Sequence, residues 1–300
     1  MIAPDALADT IARVHADRGR RWLAALPALL DHCRRRWLIT LDAPFDDLSY
    51  NLVIPGRTAG NMEVVLKLGV PCNELENEAR ALMLFNGAAC ARLLEYDAIA
   101  GALLLERVSP GLPVHGVLDD AEAARAAAVL MRKLRHDPPD GHRFPSLAEW
   151  FRALQRLPGK DDGTFPREII ARAERTLLDL LASAELTVIL HGDLHHANIL
   201  SSSPGGWMAI DPKGVCGDPG YEVGSFMINR LPAGMSDFET IDFFNRRLSI
   251  FEHELNIDRK RLARWAFCHA VLSAAWSFEE SLEWRDTIHL ALLLNQLSEQ

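Results

Sequence analysis

The chain has 300 residues, of which 49% are hydrophobic and 24% are charged, values typical of one large globular domain or two modest ones. Its 32 Lys and Arg residues against 41 Asp and Glu residues give a formal net charge of −9, which argues against a nucleic-acid partner bound through a general basic field. The five cysteines are scattered and form no CxxC pair. The sequence shows no apolar run near the ~20 residues of a membrane span and no signal-peptide core, so we expect a cytoplasmic protein without a membrane partner.

The first 108 residues alternate between helix and strand patterns. Residues 5–36 predict two helices broken near Gly19, and strand-like alternation follows at 36–41. Residues 48–54 and 62–68 predict two more strands, joined by a turn that contains Pro55 and Gly56.

A helix and a hairpin complete this region. The helical period of 3.6 residues over 73–87 places four apolar residues on one face, Leu75, Ala79, Leu82 and Phe85. Residues 92–108 predict a hairpin that turns at Ala100 and Gly101. The region is therefore expected to be a small antiparallel sheet with one inserted helix, and we place the domain boundary between residues 108 and 109.

Residues 109–300 are mainly helical in pattern. Helices are predicted at 119–137, 146–157 and 167–183, and again from about residue 221 to the end. Between them, short strand patterns occur at 187–193, 197–202 and 206–212. Because Asp193, Asn198 and Asp211 lie where these short strands end or begin, we expect them to lie close together.

These three side chains suit phosphoryl transfer. Oxygen ligands from Asn198 and Asp211 can bind a hard cation such as Mg²⁺, which leaves Asp193 to accept a hydroxyl proton or orient the attacking oxygen. The reaction also needs a cation on the phosphates, for which Lys67 in the strand pattern VVLKL is the candidate. A carboxylate on the following helix would hold Lys67, and the residues leave Glu74, Glu76 and Glu78 open as choices.

These motifs resemble those of the aminoglycoside phosphotransferases, within the protein-kinase-like fold. The stretch HGDLHHANIL is similar to the catalytic-loop motif HGDLHxxNIL of the streptomycin 6-phosphotransferase and hydroxyurea-resistance kinase family. Downstream, AIDPKGVCGDP resembles the family's metal-binding segment, and VVLKLG and NEARAL resemble its lysine strand and glutamate helix. The resemblance covers most of the chain, from about residue 20 to about residue 280.

The resemblance implies an α+β, two-lobed protein-kinase-like fold with a β-rich N-terminal lobe and a mainly helical C-terminal lobe. It implies an O-phosphotransferase that uses ATP and Mg²⁺, with ATP between the lobes. The acceptor would be a hydroxyl of a small molecule, first of all an aminoglycoside of the streptomycin type, whose phosphorylation inactivates the antibiotic. The sequence leaves the oligomeric state open.

The resemblance also assigns roles to individual residues. Asp193 would be the catalytic base, Asn198 and Asp211 would bind Mg²⁺, Lys67 would contact the phosphates and Glu78 would pair with Lys67. Backbone groups of Glu106 and Val108 would bind adenine. Further roles are a phosphate-covering loop at Ser49 to Asn51 or in the turn at 55–60, His195 near the phosphate, and Lys213 on phosphate or substrate.

Several alternatives accompany this hypothesis. His191, His195 and His196 could instead bind zinc in a hydrolase, although we expect His191 to be a buried scaffold and His196 an ordinary polar loop residue. The acceptor could be another hydroxylated metabolite or hydroxyurea, or the chain could be a non-catalytic nucleotide-binding pseudokinase. Glu222 replaces the aspartate more usual in the family, at a position expected to be structural. Aromatic residues from Trp276 to Trp284 could border a cationic substrate or simply pack a helix face.

Overall fold

The computed structural model describes residues 4–46, 48–157, 165–203, 205–280 and 282–299. The chain divides into two compact units, Met1–Gly111 and Leu112–Gln300. Within the described ranges, every helix is too short or too polar to cross a membrane.

The first unit opens with the long helix α1 (Asp5–Trp37). The break expected near Gly19 lies instead at Ala16, whose φ of 48° and ψ of −128° are not helical. Gly19 has a packing role, because a Cβ atom there would lie 2.3 Å from the carbonyl oxygen of Ile11. The break expected near Gly19 is thus present, three residues before that glycine, and Gly19 itself marks the close approach of the two segments.

The sheet of the first unit has five antiparallel strands in the order β1-β2-β3-β5-β4. Their bounds are β1 (Ile39–Leu41), β2 (Leu52–Thr58), β3 (Glu63–Leu68), β4 (Leu93–Asp97) and β5 (Ala102–Glu106). Helix α2 (Asn73–Phe85) follows β3 and buries the apolar face that its 3.6-residue period predicts. One face of the sheet shares a core with α1, to which Trp22, Leu26, Ile54 and Leu66 belong.

The turn expected at Pro55 and Gly56 was wrong. Both residues lie inside β2, where they pair with Val65 and Val64. Gly56 serves close strand packing, since a Cβ atom there would lie 2.3 Å from the carbonyl oxygen of Thr40 on β1. The hairpin turns several residues later, around Asn61 with φ of 65°.

The second unit is mainly helical. Its helices are α3 (Asp120–Lys133), α4 (Leu147–Trp150), α5 (Arg152–Arg156), α6 (Arg167–Ala182), α7 (Val223–Met227), α8 (Asp237–Leu255), α9 (Arg259–Glu279) and α10 (Arg285–Glu299). Helices α3, α4 and α8 each begin with a capping box, formed with Asp119, Ser146 and Ser236. Most positions of α9 from Leu262 to Ala275 are buried, so this helix forms the centre of the unit.

Short strands carry the polar motifs of the second unit. β6 (Pro110–Pro113) spans the boundary between the two units, and the strands within the second unit are β7 (Val188–Leu190), β8 (Ile199–Ser202), β9 (Gly206–Ala209) and β10 (Val215–Gly217). β7 pairs with β10, and β8 pairs with β9, both antiparallel. The polar motifs lie directly after these strands. The HGDLHHAN stretch follows β7, and Asp211 follows β9.

Candidate active site

A buried ion pair lies in the first unit. Lys67 on β3 donates from Nζ to Oε1 of Glu78 on α2 at 2.7 Å, and the two residues are 5% and 4% exposed. Of the three glutamates left open by the sequence, Glu78 shares the buried face of α2, whereas Glu74 is exposed and Glu76 pairs with Arg80. A buried lysine is costly unless it is paired, so this geometry fixes the ammonium group at one place on the sheet.

Ser49 and Asn51 lie in the segment between β1 and β2. The carboxamide of Asn51 occupies the space beside Gly69, because a Cβ atom at Gly69 would lie 2.2 Å from its Oδ1. This contact holds the segment against the chain just beyond β3, the strand that carries Lys67.

Glu106 and Val108 lie at and just after the end of β5. The backbone N–H of Glu106 donates to the carbonyl oxygen of Arg92 at 2.9 Å, so the carbonyl is the group of that residue that adenine could use. Val108 is half-buried, and its carbonyl oxygen lies against Gly111, where a Cβ atom would come within 2.7 Å.

In the second unit, the loop after β7 is held from two sides. The Glu222 carboxylate accepts hydrogen bonds from the backbone N–H groups of His191, at 2.8 Å, and Gly192, at 2.9 Å. On the other side, His191 donates from Nε2 to the carbonyl oxygen of Ile210 at 2.8 Å. Glu222 and His191 are both buried, so the turn that precedes Asp193 is fixed by interior hydrogen bonds.

His191 is a neutral scaffold residue. Its Nδ1 accepts from the backbone N–H of Asp193 at 3.3 Å, while its Nε2 binds Ile210. Burial lowers the pKa of this imidazole to about 3. Because both ring nitrogens are occupied by backbone groups, His191 is unsuited to bind zinc.

Asp193 and Asn198 meet across the loop. The amide nitrogen of Asn198 donates to the backbone carbonyl of Asp193 at 2.9 Å. Asn198 is 7% exposed, whereas the Asp193 side chain is 32% exposed. The amide oxygen of Asn198 is therefore the atom that could bind a cation, and the Asp193 carboxylate is accessible to a small molecule.

Asp211 follows β9 in a left-handed conformation with φ of 60°. An aspartate tolerates this region better than most residues, and here it places the carboxylate directly after the Ile210 carbonyl that His191 binds. Lys213 Nζ lies 3.4 Å from Asp211 Oδ2, and the backbone N–H of Lys213 donates to the carbonyl oxygen of His191 at 2.7 Å.

The residues present fit Mg²⁺ better than zinc. Mg²⁺ is typically bound by one or two protein oxygen ligands together with phosphate and water oxygens, and Asn198 and Asp211 supply such a pair. Among the described residues, no group of three or more His, Cys, Asp or Glu side chains could hold a metal ion. The zinc alternative therefore finds no ligand set in this part of the chain.

His195 lies beside Asp193. Its Nε2 is 3.9 Å from Asp193 Oδ2, and its Nδ1 accepts from the backbone N–H of Ala197 at 3.2 Å. Burial lowers the pKa of His195 to about 4, although the charge of Asp211 acts in the opposite direction. The ring is therefore a neutral neighbour of the carboxylate at neutral pH.

His196 is not the ordinary polar loop residue that we expected. It is 2% exposed and stacks on Phe226 with ring centroids 3.8 Å apart. Its Nε2 lies 3.3 Å from a guanidinium nitrogen of Arg247. The expectation failed because burial here comes from α7 and α8, which are distant in sequence.

Arg247 on α8 is a residue that the sequence reasoning missed. It is fully buried and donates to the Asp120 carboxylate and to the carbonyl oxygens of Phe226, Met227 and Asn229. Its position on the apolar stripe of α8, one turn after Phe243, was the available signal. Through His196 and the end of α7, Arg247 ties two helices to the loop that carries Asp193.

Solved structures of small-molecule kinases share this fold. The choline kinase LicA from Streptococcus pneumoniae superposes with a TM-score of 0.64 at 12% identity, over 92% of this chain and 99% of that chain. The macrolide 2′-phosphotransferase from Brachybacterium faecium gives a TM-score of 0.58 at 19% identity, over 91% of this chain and 98% of that chain. The fold is the α+β protein-kinase-like fold, as the motifs implied.

Sequence comparison places the chain more narrowly. Residues 36–281 match the aminoglycoside/hydroxyurea antibiotic resistance kinase family, and the chain belongs to this family. It is 31% identical to the streptomycin 6-kinase of Streptomyces glaucescens, over 92% of this chain and 91% of that protein. It is also 31% identical to the hydroxyurea phosphotransferase of Kitasatospora aureofaciens, over 92% of this chain and 80% of that protein. The chain is thus a phosphotransferase that acts on an alcohol group of a small molecule.

Proposed function

We propose that this chain transfers the γ-phosphoryl group of ATP, with Mg²⁺, to a hydroxyl of an aminoglycoside of the streptomycin type and thereby inactivates it. The observation that carries the proposal is the loop after β7, where Asn198 donates to the Asp193 carbonyl and leaves the Asp193 carboxylate accessible. Such a loop supplies an oriented base and an oxygen ligand, the two protein groups that phosphoryl transfer most needs.

Each candidate residue then has a defined task. Lys67, held by Glu78, binds the phosphate oxygens of ATP as a fixed positive charge. Asn198 and Asp211 hold Mg²⁺, which when bound neutralises charge on the phosphates. Asp193 accepts a hydrogen bond from the acceptor hydroxyl, orients its oxygen toward the phosphorus and takes the proton as the new P–O bond forms, while the bond from Pγ to the bridging oxygen breaks and ADP leaves with that electron pair.

The remaining candidates support binding. Backbone groups of Glu106 and Val108 bind adenine, and the segment with Ser49 and Asn51 covers the phosphates. His195 stays neutral beside Asp193, and so it adds a hydrogen-bonding group without pairing with the carboxylate as a cation. Lys213, beside Asp211, contacts phosphate or acceptor.

Hydroxyurea is the second candidate acceptor. The hydroxyurea phosphotransferase of Kitasatospora aureofaciens is as similar to the chain, at 31% identity, as the Streptomyces glaucescens streptomycin 6-kinase. An acceptor panel separates the two: ADP release and product mass are measured with streptomycin, hydroxyurea and neutral sugar alcohols. A phosphorylated streptomycin supports the first choice, and phosphorylated hydroxyurea alone supports the second. Nucleotide binding without transfer to any acceptor indicates a pseudokinase instead.

Substitution of the proposed base tests the mechanism. We expect Asp193→Asn to lower kcat by about 10²- to 10⁴-fold, the usual contribution of general base catalysis, while ATP binds as in the wild type. Turnover is measured by coupled ADP release and nucleotide affinity by calorimetry. Asp286→Asn, an exposed position in the first turn of α10, is the matched control and should leave both quantities unchanged. Near-wild-type turnover in Asp193→Asn would rule out this role.

A further inference from the structure

An aromatic wall extends from the loop that carries Asp193. The ring of Trp150, at the end of α4, lies against Gly192: a Cβ atom there would come within 2.8 Å of its Cη2 atom. Trp150 in turn meets the ring of Trp276 on α9 edge to face, with centroids 5.6 Å apart and an interplanar angle of 78°. Both tryptophans are only partly buried, so the wall begins beside the proposed base and reaches solvent.

The wall has a rigid support behind it. Tyr221 packs edge-on against Trp150 with centroids 6.0 Å apart, and its hydroxyl lies 2.9 Å from Nδ1 of His269. Burial, followed by the charge of Asp193, raises the pKa of Tyr221 well above its usual range, which places this ring near the same carboxylate. Tyr221 therefore supports the ring of Trp150, on which Trp276 packs in turn.

One face of α9 continues the wall. His269, Ser273, Trp276 and Ser277 follow each other at short helical spacings and so share one side of the helix, and Glu280 comes directly after its last residue. Over residues 265–275 every position of α9 is buried except Ser273, which is partly exposed and lies about one turn before Trp276. The face thus presents a hydroxyl, an aromatic ring and, at its end, a carboxylate in sequence.

This combination suits a particular ligand chemistry. An aromatic face attracts a guanidinium or ammonium group, the more so where water is partly excluded, and hydroxyl groups bind the alcohols of a polyol. The neighbouring Glu279 carboxylate accepts hydrogen bonds from Arg156, at 3.0 Å and 3.1 Å, and Glu280 follows it at the end of this face. A neutral and compact acceptor would use neither the aromatic faces nor the carboxylate.

We propose that Trp150 and Trp276 form the acceptor subsite next to Asp193, and that they select a polyol bearing a guanidinium or ammonium group. The inference rests on the proposed function, because it takes Asp193 as the group that faces the acceptor hydroxyl. Trp276 is the specificity residue that can be tested, since Trp150 also packs against Gly192 and Tyr221.

Binding of streptomycin, a guanidinium-bearing aminoglycoside, is the test. We expect Trp276→Leu to weaken streptomycin binding about tenfold in calorimetry and to raise its KM in parallel, with Trp276→Phe between the two. The KM for ATP should not change. Trp37→Leu, which removes a partly exposed tryptophan of α1, is the matched control and should leave streptomycin binding unchanged.

Several results would overturn the inference. The first is a Trp276→Leu variant that binds streptomycin within twofold of the wild type. The second is a rise of the KM for ATP in Trp276→Leu equal to the rise of the KM for streptomycin. The third is a wild type that binds the neutral polyol inositol as tightly as streptomycin. Thermal unfolding checks each variant. Should Trp276→Leu not fold, Trp276→Phe is expected to weaken streptomycin binding about threefold, and no change would contradict the proposal.

The two proposals fail separately. Streptomycin bound with the expected Trp276 dependence, but never phosphorylated, refutes the proposed function and leaves the subsite standing. Streptomycin phosphorylated with an unchanged KM in Trp276→Leu refutes the subsite and leaves the function standing. A wild type that neither binds nor phosphorylates streptomycin refutes the subsite and also the aminoglycoside as acceptor.

Discussion

Glu222 connects the interior of the second unit to the loop that carries Asp193. Its two carboxylate oxygens accept from two successive backbone N–H groups, those of His191 and Gly192. Burial raises the pKa of this carboxyl to about 7, although the two backbone hydrogen bonds act to lower it. The side chain touches no proposed substrate, so Glu222 is a positioning residue.

Replacement of Glu222 by glutamine tests this positioning. The amide nitrogen of Glu222→Gln would face one of the two N–H donors, which leaves one buried donor without an acceptor. We expect kcat to fall about tenfold or more with little change in the KM for ATP, measured by coupled ADP release.

Glu222→Asp is the control for this prediction. It keeps both acceptor oxygens on a side chain one methylene shorter. We expect it to retain more activity than Glu222→Gln. Equal activity of Glu222→Gln and the wild type would show that the two backbone hydrogen bonds do not position the loop.

At the scale of single residues, the sequence identifies candidate site residues better than it predicts the side chains that pack around them. Local patterns identified Lys67 as the candidate cation but left Glu74, Glu76 and Glu78 open, and only the resemblance to the family singled out Glu78, which pairs with Lys67 in the structure. The environment of His196 does not follow from local patterns, since Arg247 and Phe226 reach it from helices about 30 to 50 residues away in sequence. Contacts of this kind depend on how helices pack, which no local pattern encodes.

At the scale of the elements, hydrophobic periodicity located the helices and strands, whereas Pro55 and Gly56 led to a turn placed too early in the chain. A glycine permits both a turn and a close backbone approach, and the sequence does not distinguish them. Gly19 and Gly56 are both close-approach glycines, since a Cβ atom at either position would lie 2.3 Å from a carbonyl oxygen. The chain changes direction at Ala16, three residues before Gly19, and near Asn61, directly after Gly60.

Gly192 combines a turn and a close approach of the backbone at one position of the loop that carries Asp193. Its φ is +87°, and a Cβ atom would lie 2.8 Å from Trp150 and 3.1 Å from Val215. We expect Gly192→Ala to lower kcat at least tenfold and to destabilise the chain by about 2 kcal/mol or more, through backbone strain and displacement of Trp150. Steady-state kinetics and urea unfolding measure the two effects.

Gly141 provides the matched control for this prediction. It also has a positive φ, of +67°, but a Cβ atom there meets nothing within 4 Å. Gly141→Ala should therefore cost only about 1 kcal/mol of backbone strain and leave kcat unchanged. Similar kinetics in the two variants would mean that the space beside Gly192 does not matter for catalysis.

At the scale of the whole molecule, the stability of the chain depends on titratable groups buried in the second unit. Burial, followed by the charge of His195, lowers the pKa of His269 from 6.5 to about 3, so the folded chain keeps this ring neutral. The unfolded chain takes up a proton below pH 6.5, and the stability that the neutral ring contributes is lost as pH falls. For Glu222 the direction is opposite: its pKa rises from 4.5 to about 7, and its contribution is lost as pH increases through 7.

Two variants therefore change the pH dependence of stability in opposite directions. Between pH 7 and pH 5, we expect the wild type to lose about 2 kcal/mol more unfolding free energy than His269→Gln. Over the same interval it should gain about 2 kcal/mol relative to Glu222→Gln, because Glu222 takes up its proton only in the folded state. Urea unfolding at the two pH values measures both differences. On folding, His269 should release a proton and Glu222 should take one up, so the two variants must shift the pH dependence in opposite directions. A shift in the same direction would show that these two groups do not govern the pH dependence of stability.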